Sequence, residues 1–218
     1  MHPSTHQRLP TLPLAKLRPA VLVGAALCGL FMPPGALAAD PVSEMVTWIA
    51  ASGDNAAMPF VVIDKRAARL HVFDAQGRPV DNTAVLLGSA AGDDSAPGVG
   101  NKPLSQVLPE ERTTPAGRFA GLRGRNLSGE DIVWIDYEAA VSMHRVRAAN
   151  PKERRLQRLA SSTAEDNRIS YGCVNIPAAF FDTHIAPTFA AQRAIVYVLP
   201  EHKTLQAVFG PQAPATPK

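Results

Sequence analysis

Pro59-Phe60-Val61-Val62-Ile63, then Arg69-Leu70-His71-Val72-Phe73, the turn Asp74-Ala75-Gln76-Gly77 and the run from Val80 through Leu87 decide the fold. Apolar, β-branched and aromatic residues gather in short runs with turn-forming residues between them, which predicts strands in hairpin succession. The same signal resumes at Gly117-Arg118-Phe119, at Ile132 through Tyr137 and at Ala140-Val141-Ser142-Met143-His144, and ends with a strand from Ala194 to Leu199. Between the two groups, Gly88 to Gly117 is rich in Gly, Pro, Asp and Ser and has no periodicity. A loop that long in a compact domain is expected to be functional or mobile.

Helical signals are few. Asp40-Pro41 supply an N-cap and a first helical residue, Val42, Met45, Val46 and Ile49 share one face, and Gly53 offers the stop, so segment 39–57 should be a short helix. Asn150-Pro151-Lys152-Glu153 repeats the start signal, with Leu156 and Leu159 one turn apart, and predicts a capped basic helix over Asn150 to Leu159. Its cations Arg154, Arg155 and Arg158 read as a solvated helix face or as a positive lid on a cleft. Pro177 opens a third helical segment through Phe180, Phe181, His184 and Ile185. The expected fold is mainly β, a sandwich or barrel with short helices over residues 58–200, with a frayed tail over 201–218.

Composition narrows the function. The 218 residues are 46% hydrophobic with 20 Pro and 15 Gly, which excludes a continuous helical bundle. Of 22 Lys and Arg, three (Arg8, Lys16, Arg18) lie in the first 38 residues, where no acid occurs, so the remainder balances 19 against 19. A near-neutral chain has no electrostatic footprint for nucleic acid. The front segment runs from positive residues through an apolar stretch, Ala20 to Met32, to Pro33-Pro34 and Ala36-Leu37-Ala38. It has the three parts of a secretory signal with cleavage after Ala38, and its apolar run is shorter than the roughly 18 residues a membrane span needs. The mature protein is expected outside the cytoplasm, in the periplasm or cell envelope, touching membrane only through residues 1–38 before cleavage.

Cys28 leaves with that segment, so Cys173 is the one thiol of the mature chain and no intramolecular disulfide can form. A lone thiol in an exported protein is either a buried inert side chain or a functional one. It lies in Ser170-Tyr171-Gly172-Cys173-Val174-Asn175, directly before the Pro177 segment. A thiolate at a helix N-terminus is stabilised by the macrodipole, and Gly172 permits the tight turn that exposes it. A cysteine nucleophile needs a base, and four histidines remain: His71, His144, His184 and His202. His144 ends a strand shortly before the motif. Gly98-Val99-Gly100 lacks the strand, helix start and Lys of a phosphate cradle, and the histidines lack zinc-site spacing, so neither cofactor nor metal is expected.

With these residues in place the chain resembles the L,D-transpeptidase catalytic domains of the YkuD type, which cross-link peptidoglycan stem peptides through a cysteine acyl-enzyme. The resemblance rests on His144, on Ser170-Tyr171-Gly172-Cys173-Val174-Asn175, on Thr114-Pro115-Ala116-Gly117 and on the strand pattern from Val61 through Gly77, and spans roughly residues 59 to 200. It implies Cys173 as nucleophile, His144 as base and acid, and the amides of Gly172 and Cys173, with Tyr171, around the oxyanion. Ser170, Tyr171, Asn175, Arg145 and Arg168 become candidate substrate contacts, with Arg147 beside them, because guanidinium recognises the carboxylates of a stem peptide. Arg145 and Tyr171 stand where the family more often has a small residue and a His, and the stretch between His144 and Cys173 is longer than usual. The implied activity is transpeptidation on stem peptides, with L,D-carboxypeptidase or endopeptidase action, or a non-catalytic wall-binding module, as alternatives.

Overall fold

In a computed structural model of the protein, residues 40–191 and 193–215 are described. The secretory signal expected over 1–38 lies outside them. Asp40 caps the first helix, α1 (Pro41–Ser52), accepting from the amides of Val42 and Ser43, and Gly53 ends it in the left-handed region with φ 67°. Ten strands follow in chain order: β1 (Phe60–Asp64), β2 (Arg69–Phe73), β3 (Pro79–Ala84), β4 (Leu87–Gly88), β5 (Gly117–Arg125), β6 (Asp131–Asp136), β7 (Val141–Arg145), β8 (Arg168–Ser170), β9 (Val174–Ile176) and β10 (Ala194–Val198).

Eight of them make one sheet, in the order β3-β2-β1-β10-β5-β6-β7-β9. The sheet nearly closes. Past Ala84 the chain leaves β2 for the far edge, where Leu86 exchanges two backbone hydrogen bonds with Asn175 of β9 at 2.9 and 2.8 Å, and β4 pairs with β8. The run from Val80 through Leu87, expected as one strand, is thus two strands that bridge the edges of the sheet.

At the centre, β1 and β10 run parallel and are buried on both faces, which is why they read as continuous apolar runs. Val61, Ile63, Val196 and Val198 point into one core with Met143, Val174 and Phe181; Phe60, Val62, Ile195 and Tyr197 point into a second, covered by α1 through Val42, Met45 and Ile49. The C-terminal segment departs from its expected fraying. Helix α5 (Leu205–Phe209) is capped by Thr204, and Leu205 and Ala213 are buried in that second core with Phe209 against it. Apolar surface worth about 25 cal/mol per Å² outweighs the terminal position.

Two more expectations change. The helix expected over Asn150 to Leu159 is broken: a 3₁₀ turn, Pro151–Glu153, precedes α2 (Arg155–Leu159), and Arg154 between them takes a left-handed φ of 49°. Asn150 does cap the turn, accepting from the Lys152 amide at 3.1 Å. The helical segment after Cys173 begins at α3 (Ala178–Phe180), passes through a π-turn, Phe181–Ile185, and ends in α4 (Ala186–Ala191), but β9 lies between it and the cysteine. Cys173 is therefore not at a helix N-terminus, and no macrodipole acts on it.

Candidate active site

Parallel pairing of β7 with β9 sets the site. Met143 pairs with Val174 and His144 with Asn175, so the residue just before β9, Cys173, falls beside Ser142, two positions along β7 from His144. Ser142 donates its amide to Sγ at 3.4 Å with its hydroxyl 3.6 Å away, and the thiol faces the Ala140 carbonyl at 3.7 Å. The His144 ring bonds through Nδ1 to the carbonyl of Arg145 at 2.8 Å. A carbonyl can only accept, so Nδ1 carries the proton and Nε2 is the nitrogen left for the sulfur.

Their electrostatics agree. Burial pushes the Cys173 thiol up, but the hydrogen bond and charge of His144, together with the Ser142 donors, hold it below its ordinary value. Burial pushes His144 down, and Cys173 with the Arg145 carbonyl raises it above its ordinary value. Both shifts favour a thiolate–imidazolium pair, the activated form of a cysteine nucleophile.

Beneath the sulfur the motif loop is held from three sides. Ser170, buried, donates to the Cys173 carbonyl at 2.6 Å and accepts the Gly172 amide at 3.1 Å. Asn175 donates to the same Cys173 carbonyl at 3.2 Å. Thr114 donates to the Gly172 carbonyl at 2.7 Å and accepts the Gly88 amide at 2.9 Å. Gly172 itself has φ 124°, where a Cβ would lie 2.8 Å from the Thr113 carbonyl oxygen. The sequence marked Thr114 only as part of a motif; its bond to Gly172 crosses 58 positions and leaves no local signal.

Two cavities meet at the pair. One, about 360 Å³, is lined by Leu104, Asn150, Arg155, Tyr171 and Asn175; the other, about 310 Å³, by Leu127, Trp134, Ser142 and Leu104; His144, Arg147 and Cys173 line both. Tyr171 is exposed at the rim with the Arg112 guanidinium 4.2 Å over its ring.

Several candidates from the sequence are placed elsewhere. Arg145 is bound to Asp182 at 2.8 and 2.5 Å and lies over Phe181, and Arg168 pairs with Glu201 and donates to the Lys65 carbonyl; neither lines the cavities. Both guanidiniums hold their carboxylates outside the two cavities. The Gly172 amide is committed to Ser170 and is not free to stabilise an oxyanion. His71 lies in β2, His184 pairs with Asp81 at 3.0 Å, and His202 donates its amide to the Asp93 carboxylate at 2.8 Å; none lines either cavity. Arg155, expected on a solvated face, instead turns inward: its side chain is 15% exposed and donates to Asn175 and to Glu153, each at 2.5 Å.

No protein-family model and no curated protein matches the chain. Solved structures similar to it are mostly L,D-transpeptidase catalytic domains. The catalytic domain of the E. faecium L,D-transpeptidase is 19% identical over 65% of this chain and 96% of that one, with a TM-score of 0.36. An L,D-transpeptidase from Mycobacterium smegmatis is 14% identical over 65% and 58%, with a TM-score of 0.37. The helical cell shape determining protein Pgp2 from Campylobacter jejuni is 13% identical over 75% and 57%, with a TM-score of 0.44. The chain spans little more than half the length of the last two. Likenesses this distant assign no residue a role.

Proposed function

We propose that the protein is an exported cysteine acyltransferase, an L,D-transpeptidase acting on peptidoglycan stem peptides in the cell envelope. One observation carries this reading: Cys173 and His144 line both cavities, and the Arg145 carbonyl holds the His144 tautomer that leaves Nε2 for the sulfur. An inert structural cysteine needs neither that tautomer nor that opening.

Cys173 as thiolate attacks the carbonyl between an L-centre and a terminal D-residue, forming a C–S bond. The developing oxyanion takes the amide of Cys173, since that of Gly172 is already used. Collapse breaks the C–N bond, and the His144 imidazolium gives its proton from Nε2 to the departing amine, releasing the D-amino acid. An incoming amine then attacks the thioester, loses its proton to His144 and carries away the acyl group; water in its place makes the same site an L,D-carboxypeptidase. Ser170 and Asn175 act by holding the motif loop rather than by touching substrate.

Mass spectrometry of the purified protein with a tetrapeptide muropeptide tests this. Cys173 should gain the acyl mass with loss of the terminal D-residue, and cross-linked product should follow. Cys173→Ala should form no adduct while keeping its melting temperature, the change being small and beside open space. Turnover by that variant would refute the cysteine mechanism.

A further inference from the structure

Arg155 is placed by a left-handed turn at Arg154 that the sequence does not announce, and the turn carries its guanidinium into the cavity that Cys173 and His144 line. Nε donates to Glu153 at 2.5 Å and Nη1 to Asn175 Oδ1 at 2.5 Å. Nη2 makes no hydrogen bond to any described residue. It is the atom shared by both bidentate edges of a guanidinium, so one vacant position serves either edge. The Nε side already holds a carboxylate, that of Glu153, whose side chain is one-third exposed and can be displaced. The charge is felt at the reacting pair as well, since Arg155 acts against protonation of His144. The other cation of the cleft, Arg147, is half exposed and bound to the equally open Glu130, which leaves Arg155 as the partly desolvated one.

We infer that Arg155 is a specificity-determining residue: it receives a free carboxylate of the acyl donor at Nη2, with Glu153 holding the guanidinium in place until the donor arrives. The inference rests on the acyl-enzyme reading and names the group by which that site selects its donor. Asn175, one position beyond Val174 on the motif strand, couples the two, because the same side chain accepts from Arg155 and donates to the Cys173 carbonyl. A donor carboxylate on Arg155 is thereby registered against the loop that carries the sulfur.

The test measures Cys173 acyl-adduct formation with a stem tetrapeptide and with forms of it amidated at one carboxyl group at a time, in wild type, Arg155→Gln and Arg155→Lys. One amidated peptide should acylate wild type about tenfold more slowly than the free acid, the loss of one charge-assisted pair. Arg155→Gln should lose about as much on the free acid and nothing further on that amidated peptide, with Arg155→Lys in between. Iodoacetamide alkylation of Cys173, which needs no carboxylate, should not fall in either variant, since Arg155→Gln only relieves the charge that opposes protonation of His144. Equal losses on every peptide, or a parallel loss of alkylation, would make Arg155 a support for Asn175 and overturn the inference. Full acylation by Arg155→Gln would overturn it too. Absence of any adduct in wild type, with alkylation intact, would overturn the acyl-enzyme reading itself and the inference with it.

Discussion

The Thr114 hydroxyl donates to the carbonyl of Gly172 at 2.7 Å, tying the residue before the cysteine to a segment 58 positions earlier. The Thr114 carbonyl in turn accepts from Lys65 Nζ at 3.0 Å, so a fully buried lysine is one residue removed from the nucleophile loop. Thr114→Val keeps the shape and deletes the hydroxyl, leaving the Gly172 carbonyl and the Gly88 amide unsatisfied in a buried place. The expected cost is about 2–6 kcal/mol, one buried polar group twice over. Thermal unfolding should show it, and iodoacetamide should alkylate Cys173 more slowly than in wild type. An unchanged melting temperature would mean that water or rearrangement supplies the missing donor.

Cysteine alkylation against pH reads the Cys173–His144 pair directly. The rate follows the thiolate fraction, which rises through the thiol pKa; because His144 holds that pKa low, the midpoint should fall below the ordinary value of about 8.5. His144→Ala removes the imidazolium and leaves only the Ser142 donors against burial, so the midpoint should move up and the plateau should be reached at higher pH. His71→Ala, His184→Ala and His202→Ala should leave it where it is. If His184→Ala moves it as far as His144→Ala, the base has been misassigned.

What the sequence showed and what it hid divide along sequence distance. The strands, the Asp40 cap, the Gly53 stop and the cysteine motif are local patterns, and the structure has them near the expected residues. Pairing of His144 with Cys173 was reachable through the family resemblance, which supplies the long-range partner that periodicity cannot. Arg145 looked available for substrate because its acceptor, Asp182, lies 37 positions on, in a helical segment with no visible reason to face it. Arg155 reads as solvated because the Asn150 start signal announces a continuous helix, and a left-handed non-glycine residue such as Arg154 has no compositional mark. The tail looked frayed because its Pro and Ala say nothing of the second core that Leu205 and Ala213 enter.

Gly172→Ala separates conformation from chemistry at the motif. The side chain would be forced into a left-handed φ of 124° and its Cβ to 2.8 Å from a backbone oxygen, contacts that only a shift of the loop can relieve. The strain is worth about 1–3 kcal/mol, and the shift carries Sγ away from His144. Stability should fall by that amount while alkylation at neutral pH falls further, toward the rate of an ordinary thiol. A variant that loses stability but alkylates at the wild-type rate would show that the sulfur's place is set by β9 alone.

Asp93 tests how far the buried charge cluster supports the site. It accepts from Lys65 Nζ at 2.9 Å and from the amides of Glu201, His202 and Lys203 at 2.7, 2.8 and 2.7 Å, so both oxygens are filled. Burial pushes its carboxyl up, yet those donors together hold it below the ordinary range. A carboxylate whose folded pKa is depressed contributes stability that is present above the unfolded value of about 3.9 and is lost as pH falls through the folded value. Asp93→Asn turns an NH₂ toward backbone donors and takes from Lys65 its nearest anion, leaving Glu201 at 3.6 Å. The expected loss near neutral pH is about 3–5 kcal/mol, as for one partner removed from a buried pair. The acid limb of the stability curve should flatten in the variant, since the titrating group is gone. Because Lys65 also bonds the Thr114 carbonyl, the same variant should slow alkylation of Cys173, and a variant that is destabilised with an unaltered thiol would show that the cluster holds the loop from Gly88 to Gly117 without bearing on the cysteine.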